Sequence, residues 1–176
     1  MRALIILLIL AVSEAAHAAD SPEQAVREYF LALPEKGAAA LAPVLHPAEQ
    51  ERFKEMMIPV VRQAVAGGQA NTLPEFFGPG ATMESVEKMP AATFTTNYLT
   101  NLQRLYQVQR VDITSLEILG TVREGEIVHV VLRYGFAAAN GVKKKQMQVV
   151  STKPLGKEWK LMLTGELEGM ASAASR

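Results

Sequence analysis

The sequence predicts an α+β fold in which helices come first and a four-stranded antiparallel sheet follows. Two observations carry this. Up to about residue 105 the apolar residues recur at helical spacing, and from Val111 onward they alternate. The alternating segments are joined by short turns rich in Gly or Asn, and strands on such turns run antiparallel. Chains that order their elements this way pack the helices on one face of the sheet. We therefore expect N-terminal helices on one face of a curved four-stranded meander, a cone-like roll.

Residues 1–18, "MRALIILLILAVSEAAHA", stand apart from that fold. Arg2 precedes an unbroken apolar run from Ala3 to Val12, and Ala16-His17-Ala18 sets small residues where a signal peptidase reads. The run is too short to span a bilayer as a stable helix. We read a secretory signal cut after Ala18, with a cut after Ala15 as the alternative, and expect a periplasmic or secreted protein. No cysteine follows Ala18, so neither a lipoprotein anchor nor disulfides nor thiolate chemistry are expected. No later stretch reads as a transmembrane helix. Residues 19–168 are read as a single roll domain and 169–176, ending "ASAASR", as a flexible tail.

The charges balance, with 18 basic and 18 acidic residues. Nucleic-acid binding, which calls for a marked basic excess on one face, is not expected. The run Lys143-Lys144-Lys145 reads as a solvated strand end.

The first helix starts at Ser21-Pro22-Glu23-Gln24. Serine caps, proline suits the first helical position, and Gln24 is placed to close a capping box. Val26, Tyr29, Phe30 and Leu33 share its inner face, and Pro34 and Gly37 end it. Pro47 opens a second helix whose inner face holds Phe53, Met56, Met57, Val60 and Ala64, with a kink or break expected at Pro59. Glu49, Glu51 and Glu55 read as a solvated face; no metal or cofactor is predicted. "LPEFFGPG" reads as one helical turn under an aromatic pair, and "TMESVEKM" as another. Pro90 opens a last helix with Phe94, Tyr98, Leu102 and Leu105 on one side.

The strands read "VDITSLEILGTV", "IVHVVLRYGF", "VKKKQMQVVSTK" and "EWKLMLT". In the second, Val128, Val130, Leu132, Tyr134 and Phe136 share one face, which must be the core. Ile127, His129, Val131 and Arg133 then point outward. If the alternation holds, Gln146, Gln148, Val150, Lys160 and Met162 share the outer face. Met147, Val149, Trp159, Leu161 and Leu163 face the core. The outer set is too apolar for plain solvent surface. Ile127, His129, Val131, Arg133, Val150 and Met162 are therefore candidates for a homodimer interface. His129 on such a face is a poor general base, which works best in a pocket that excludes water. Asp112 and Glu117 lie on the first strand, where the alternation slips around Thr114-Ser115 and leaves their facing open.

On the core side, Phe30, Met57, Phe94, Tyr98, Tyr134, Phe136 and Trp159 are candidates to line a ligand pocket between helices and sheet, where bulky and flexible side chains also simply fill a core. This layout, with its last strand "GKEWKLML", resembles the nuclear transport factor 2-like (cystatin-like α+β roll) superfamily. In residue pattern the resemblance covers about Glu124 to Thr164. It implies the roll but no single function, since that superfamily hosts isomerases, cyclases, dehydratases and non-catalytic binding domains. Enzymatic members place Asp, His or Tyr inside the cone, whereas here the inward strand residues are almost all apolar, so no catalytic residue carries over. The expected function is an exported, non-catalytic binding or interaction module, holding a small apolar ligand between helices and sheet. One alternative is a periplasmic carrier of lipid or another hydrophobic ligand, because Trp159 and Gly169 also resemble the end of the exported phospholipid carriers. The other is an isomerase- or cyclase-like enzyme.

Overall fold

The computed structural model describes residues 19–69, 71–105, 112–137, 142–163 and 165. The proposed signal, the Asn140-Gly141 turn and the proposed tail lie outside the described residues. Among the described residues, five α-helices precede four strands: α1 (Pro22–Lys36), α2 (Pro47–Ala66), α3 (Thr72–Phe77), α4 (Met83–Lys88), α5 (Ala91–Leu105), β1 (Asp112–Glu124), β2 (Ile127–Ala137), β3 (Lys143–Leu155) and β4 (Glu158–Leu161). A 3₁₀ turn, Gly37–Ala40, follows α1. The sheet runs β1-β2-β3-β4, each strand antiparallel to the next. The α+β order expected from the sequence is the one observed.

The helix ends follow from their local chemistry. Ser21 Oγ accepts from the Gln24 N–H at 3.1 Å, while Gln24 Oε1 reaches back to the Asp20 N–H at 3.2 Å, one residue before the cap. Pro34 sits inside the last turn of α1 without stopping it. Gly37, at φ 53°, stops it instead and returns its N–H to the Leu33 carbonyl. At α2, His46 caps through Nδ1, which accepts from the Ala48 N–H at 3.2 Å. The break expected at Pro59 does not occur, and α2 runs through it. Pro59 and Glu55, whose carbonyl would have received the missing bond, are both exposed, so that carbonyl is free to turn to solvent. Thr82 and Ser85 form a reciprocal capping box for α4, at 3.2 and 2.9 Å.

Helix α1 lies against all four strands. Its Phe30 ring, 2 % exposed, packs 5.0 Å from Tyr134. Phe53, Phe76, Phe77, Phe94 and Tyr98 gather in a second aromatic cluster from α2, α3 and α5, with Phe76–Tyr98 at 4.8 Å and Phe77–Phe94 at 5.0 Å. Thr95 on α5 is fully buried, and its hydroxyl has no hydrogen-bond partner among the described residues. Thr95→Val removes that unsatisfied group at nearly constant shape. It is expected to raise stability by about 1 kcal/mol in urea unfolding; a loss of stability would show that the hydroxyl is in fact bonded.

In β2, Val128, Val130 and Leu132 are buried against the helices and His129 faces out, partly exposed. In β3 the expected facing is one residue out. Val150 is 1 % exposed and lies in the core, whereas Met147 and Val149 are 59 % and 55 % exposed on the outer face. The register explains this: Val150 is opposite Val130, and Thr152 opposite Val128. Thr152 tolerates full burial because its hydroxyl donates to the Val128 carbonyl at 3.0 Å. Val150 is therefore a core residue and leaves the set of outer-face candidates. β1 departs from strict alternation twice, with register shifts between Ile113 and Ser115 and between Ile118 and Gly120. Such bulges bend a strand and increase its twist.

Strand β4 would be an open edge, but two segments cover it. The Trp159 N–H donates to the Ala19 carbonyl at 3.0 Å. The Leu161 N–H donates to Val44 O, and Leu161 O accepts from the His46 N–H, both at 2.8 Å. Those bonds occupy edge groups that would otherwise invite another strand.

Candidate functional site

Between the two segments that cover β4 lies a cleft of about 390 Å³. Ala25 and Ala32, seven residues apart on one face of α1, line it together with Ala19 and Ala40. Four methyl groups leave a space that larger side chains would close. Trp159 forms part of its wall. Trp159 is half-buried, not deep in the core, because the cleft opens beside it. The Arg123 guanidinium of β1 lies 5.9 Å from the centre of its indole ring, a cation–π distance that spans two intervening strands. Glu28, Lys36 and Lys160 supply the charge in the cleft. Lys160 Nζ is 3.0 Å from Glu158 and donates to Pro43 O at 3.5 Å, while Glu28 accepts from Gln24 Nε2 at 3.0 Å.

The pocket candidates from the sequence do not converge on one site. Phe30, Tyr134 and Phe136 form a run of neighbouring rings between α1 and β2. Phe94 and Tyr98 belong to the aromatic cluster of α2, α3 and α5, and Met57 is buried on α2. Of the seven, Trp159 is the one that lines the cleft. The alanines, Glu28, Lys36 and Lys160 were missed. Their sequence signal is faint: a small-residue spacing of seven on the first helix, with charges between and after.

His129 sits on the outer face in a short polar chain. Its Nδ1 is 2.8 Å from Ser151 Oγ, directly opposite on β3, and its Nε2 is 3.2 Å from Glu124 Oε2, diagonal on β1. Serine, histidine and carboxylate are the parts of a nucleophilic triad. The setting argues against that role. Glu124 is 80 % exposed, and all three residues lie in strands whose backbone N–H groups serve the ladder, away from the cleft. Asp112 and Glu117 also face outward, and Glu117 pairs with Arg133 at 3.1 Å. Around this chain lie Val122, Val131, Met147 and Val149, of which Val122 is 60 % exposed. Ile127 and Met162, the remaining outer-face candidates, are half-buried.

On α2, Glu49 pairs with Arg52 at 3.7 Å and accepts from the Leu163 N–H at 3.4 Å. Among the described residues no group of three or more His, Cys, Asp or Glu is placed to hold a metal ion, and no helix is long and apolar enough to cross a membrane.

No family model and no curated protein matches the chain. Among solved structures it is similar to the solution structure of a SEC-C motif containing protein from Rhodopseudomonas palustris. That match has 13 % identity and a TM-score of 0.45, and it covers 83 % of this chain and 78 % of that one.

Proposed function

We propose that this chain is an exported, non-catalytic binding module of the nuclear transport factor 2-like type, which holds a small amphipathic anion in the cleft between α1 and β4. The observation that carries the reading is the cleft itself: alanine-lined, walled by an indole, with the Lys36 ammonium at its rim, Glu28 bonded to Gln24 and Lys160 paired with Glu158 at 3.0 Å. Its volume of about 390 Å³ falls near the lower end of the roughly 300–1,000 Å³ of small-molecule sites, which favours a compact ligand over a two-chain lipid. Export is supported by the apolar run and the Ala16-His17-Ala18 junction. The superfamily reading is supported by helices preceding a bulged antiparallel meander. The outer sheet face is the second contact surface of the module.

Trp159 is the only tryptophan, so its fluorescence reports on the cleft. Octanoate, a short apolar chain with one carboxylate, is a suitable probe. Titration should give a saturable change in Trp159 emission, and Ala32→Phe, which fills the cleft, should abolish it with folding unchanged. An identical response in both proteins would defeat the reading. Native mass spectrometry of protein from an exporting cell adds a second test: a retained phospholipid would favour the carrier alternative.

A further inference from the structure

From the outer face of the sheet we infer that a second copy of this chain packs there, related by a two-fold axis running along β2. The inference is independent of the cleft. The face is apolar at its centre, where Gly120, Val131 and Val149 lie in one row across β1, β2 and β3. Val122, opposite His129, and Met147, opposite Arg133, adjoin that row. Val122, Met147 and Val149 are each more than half exposed, at 60 %, 59 % and 55 %. Such a surface asks for a cover.

The charges say which cover and in what orientation. The outward acids lie on β1, where Asp112 begins the strand and Glu124 ends it. Outward lysines lie on β3, with Lys143 in the row of Asp112 and Lys153, 3.9 Å from its own Glu126, following Thr152 at the other end. A two-fold axis along β2 carries the partner's β1 over β3 without reversing the strand direction. Asp112 then meets the partner's Lys143, Glu124 meets the partner's Lys153, and the bare Gly120 receives the partner's Val149. An in-plane axis across the strands would instead set acid on acid and lysine on lysine. The face is thus complementary to itself in one of the two orientations, as an isologous interface requires. Arg133 would lie near its own copy on the axis, but each is already paired with Glu117 at 3.1 Å. Strand directions that stay aligned across the interface match the usual packing of two sheets.

From the rise per residue and the strand spacing, three strands over the 11 residues of β2 span roughly 36 Å by 14 Å. Two such faces bury on the order of 1,000 Å², at the lower edge of stable interfaces, so the dimer should be concentration-dependent.

Sedimentation equilibrium of the protein purified from an exporting host tests this. Wild type should pass from monomer to dimer as concentration rises, and Val149→Lys should weaken association at least tenfold with circular dichroism unchanged. The orientation is read from charge swaps. Glu124→Lys and Lys153→Glu should each weaken self-association about tenfold, since each sets like charges together. An equimolar mixture of the two variants should dimerise at wild-type strength, because both contacts then join opposite charges. A wild type that stays monomeric throughout, a Val149→Lys dimer of unchanged strength, or a variant mixture no stronger than its components would each overturn the inference.

Discussion

Phe30→Ala is expected to lower the unfolding free energy by about 3–5 kcal/mol, the range for losing a large buried aromatic side chain. Phe30 is 2 % exposed and stands where the helical layer meets the sheet, with Tyr29 at 5.4 Å and Tyr134 at 5.0 Å. It belongs to α1, the helix that lies against all four strands. Truncation removes the ring's burial and leaves a cavity between two layers that are each stiffened by their own hydrogen bonds, so the gap cannot readily collapse. Leu31 is the internal control. It follows Phe30 directly but is 71 % exposed, and Leu31→Ala should stay within about 0.5 kcal/mol. Urea unfolding of the two variants checks both numbers. Equal effects would mean that α1 does not present this face to the sheet.

The elements differ in how openly the sequence announced them, and each difference has a physical cause. The facing of β2 was legible because all five alternating residues from Val128 to Phe136 are apolar or aromatic, and a slip would have buried Arg133. In β3 the apolar residues Met147, Val149 and Val150 fall on both parities, so hydropathy alone favoured the wrong face. What decides it is the hydroxyl of Thr152, which is bonded to Val128 and hence buried at little cost. The slip in β1 was visible at Thr114-Ser115, but the second register shift, at Leu119, was not. Pro59 misled because a helix-breaking residue breaks little when its side of the helix faces water. The cleft was hidden for another reason. It is made of small residues and of the contacts of Ala19 with Trp159 and of Val44 with Leu161, which only the fold brings together, whereas the expected pocket was sought among large side chains, most of which fill two aromatic clusters.

The neighbouring valines of β3 give the sharpest contrast in stability. Val150→Lys is expected to cost roughly 3–5 kcal/mol, the scale of an uncompensated buried charge, while Val149→Lys should leave the fold within about 0.5 kcal/mol of wild type. Val150 is 1 % exposed, opposite Val130, which is fully buried. An ammonium placed there has apolar neighbours and must either leave water behind or force the strand apart. Partial escape by snorkelling is limited, because β2 flanks Val150 on one side and the helical layer covers its face. Val149 projects from the opposite side at 55 % exposure, where a lysine keeps its hydration and finds Val131 across the ladder. The two substitutions have the same composition, so they separate facing from propensity. Equilibrium unfolding in urea measures both. If Val149→Lys proved the more damaging, the sheet would present Met147 and Val149 to the helices, and the row of exposed apolar residues on which the two-fold contact is built would not exist.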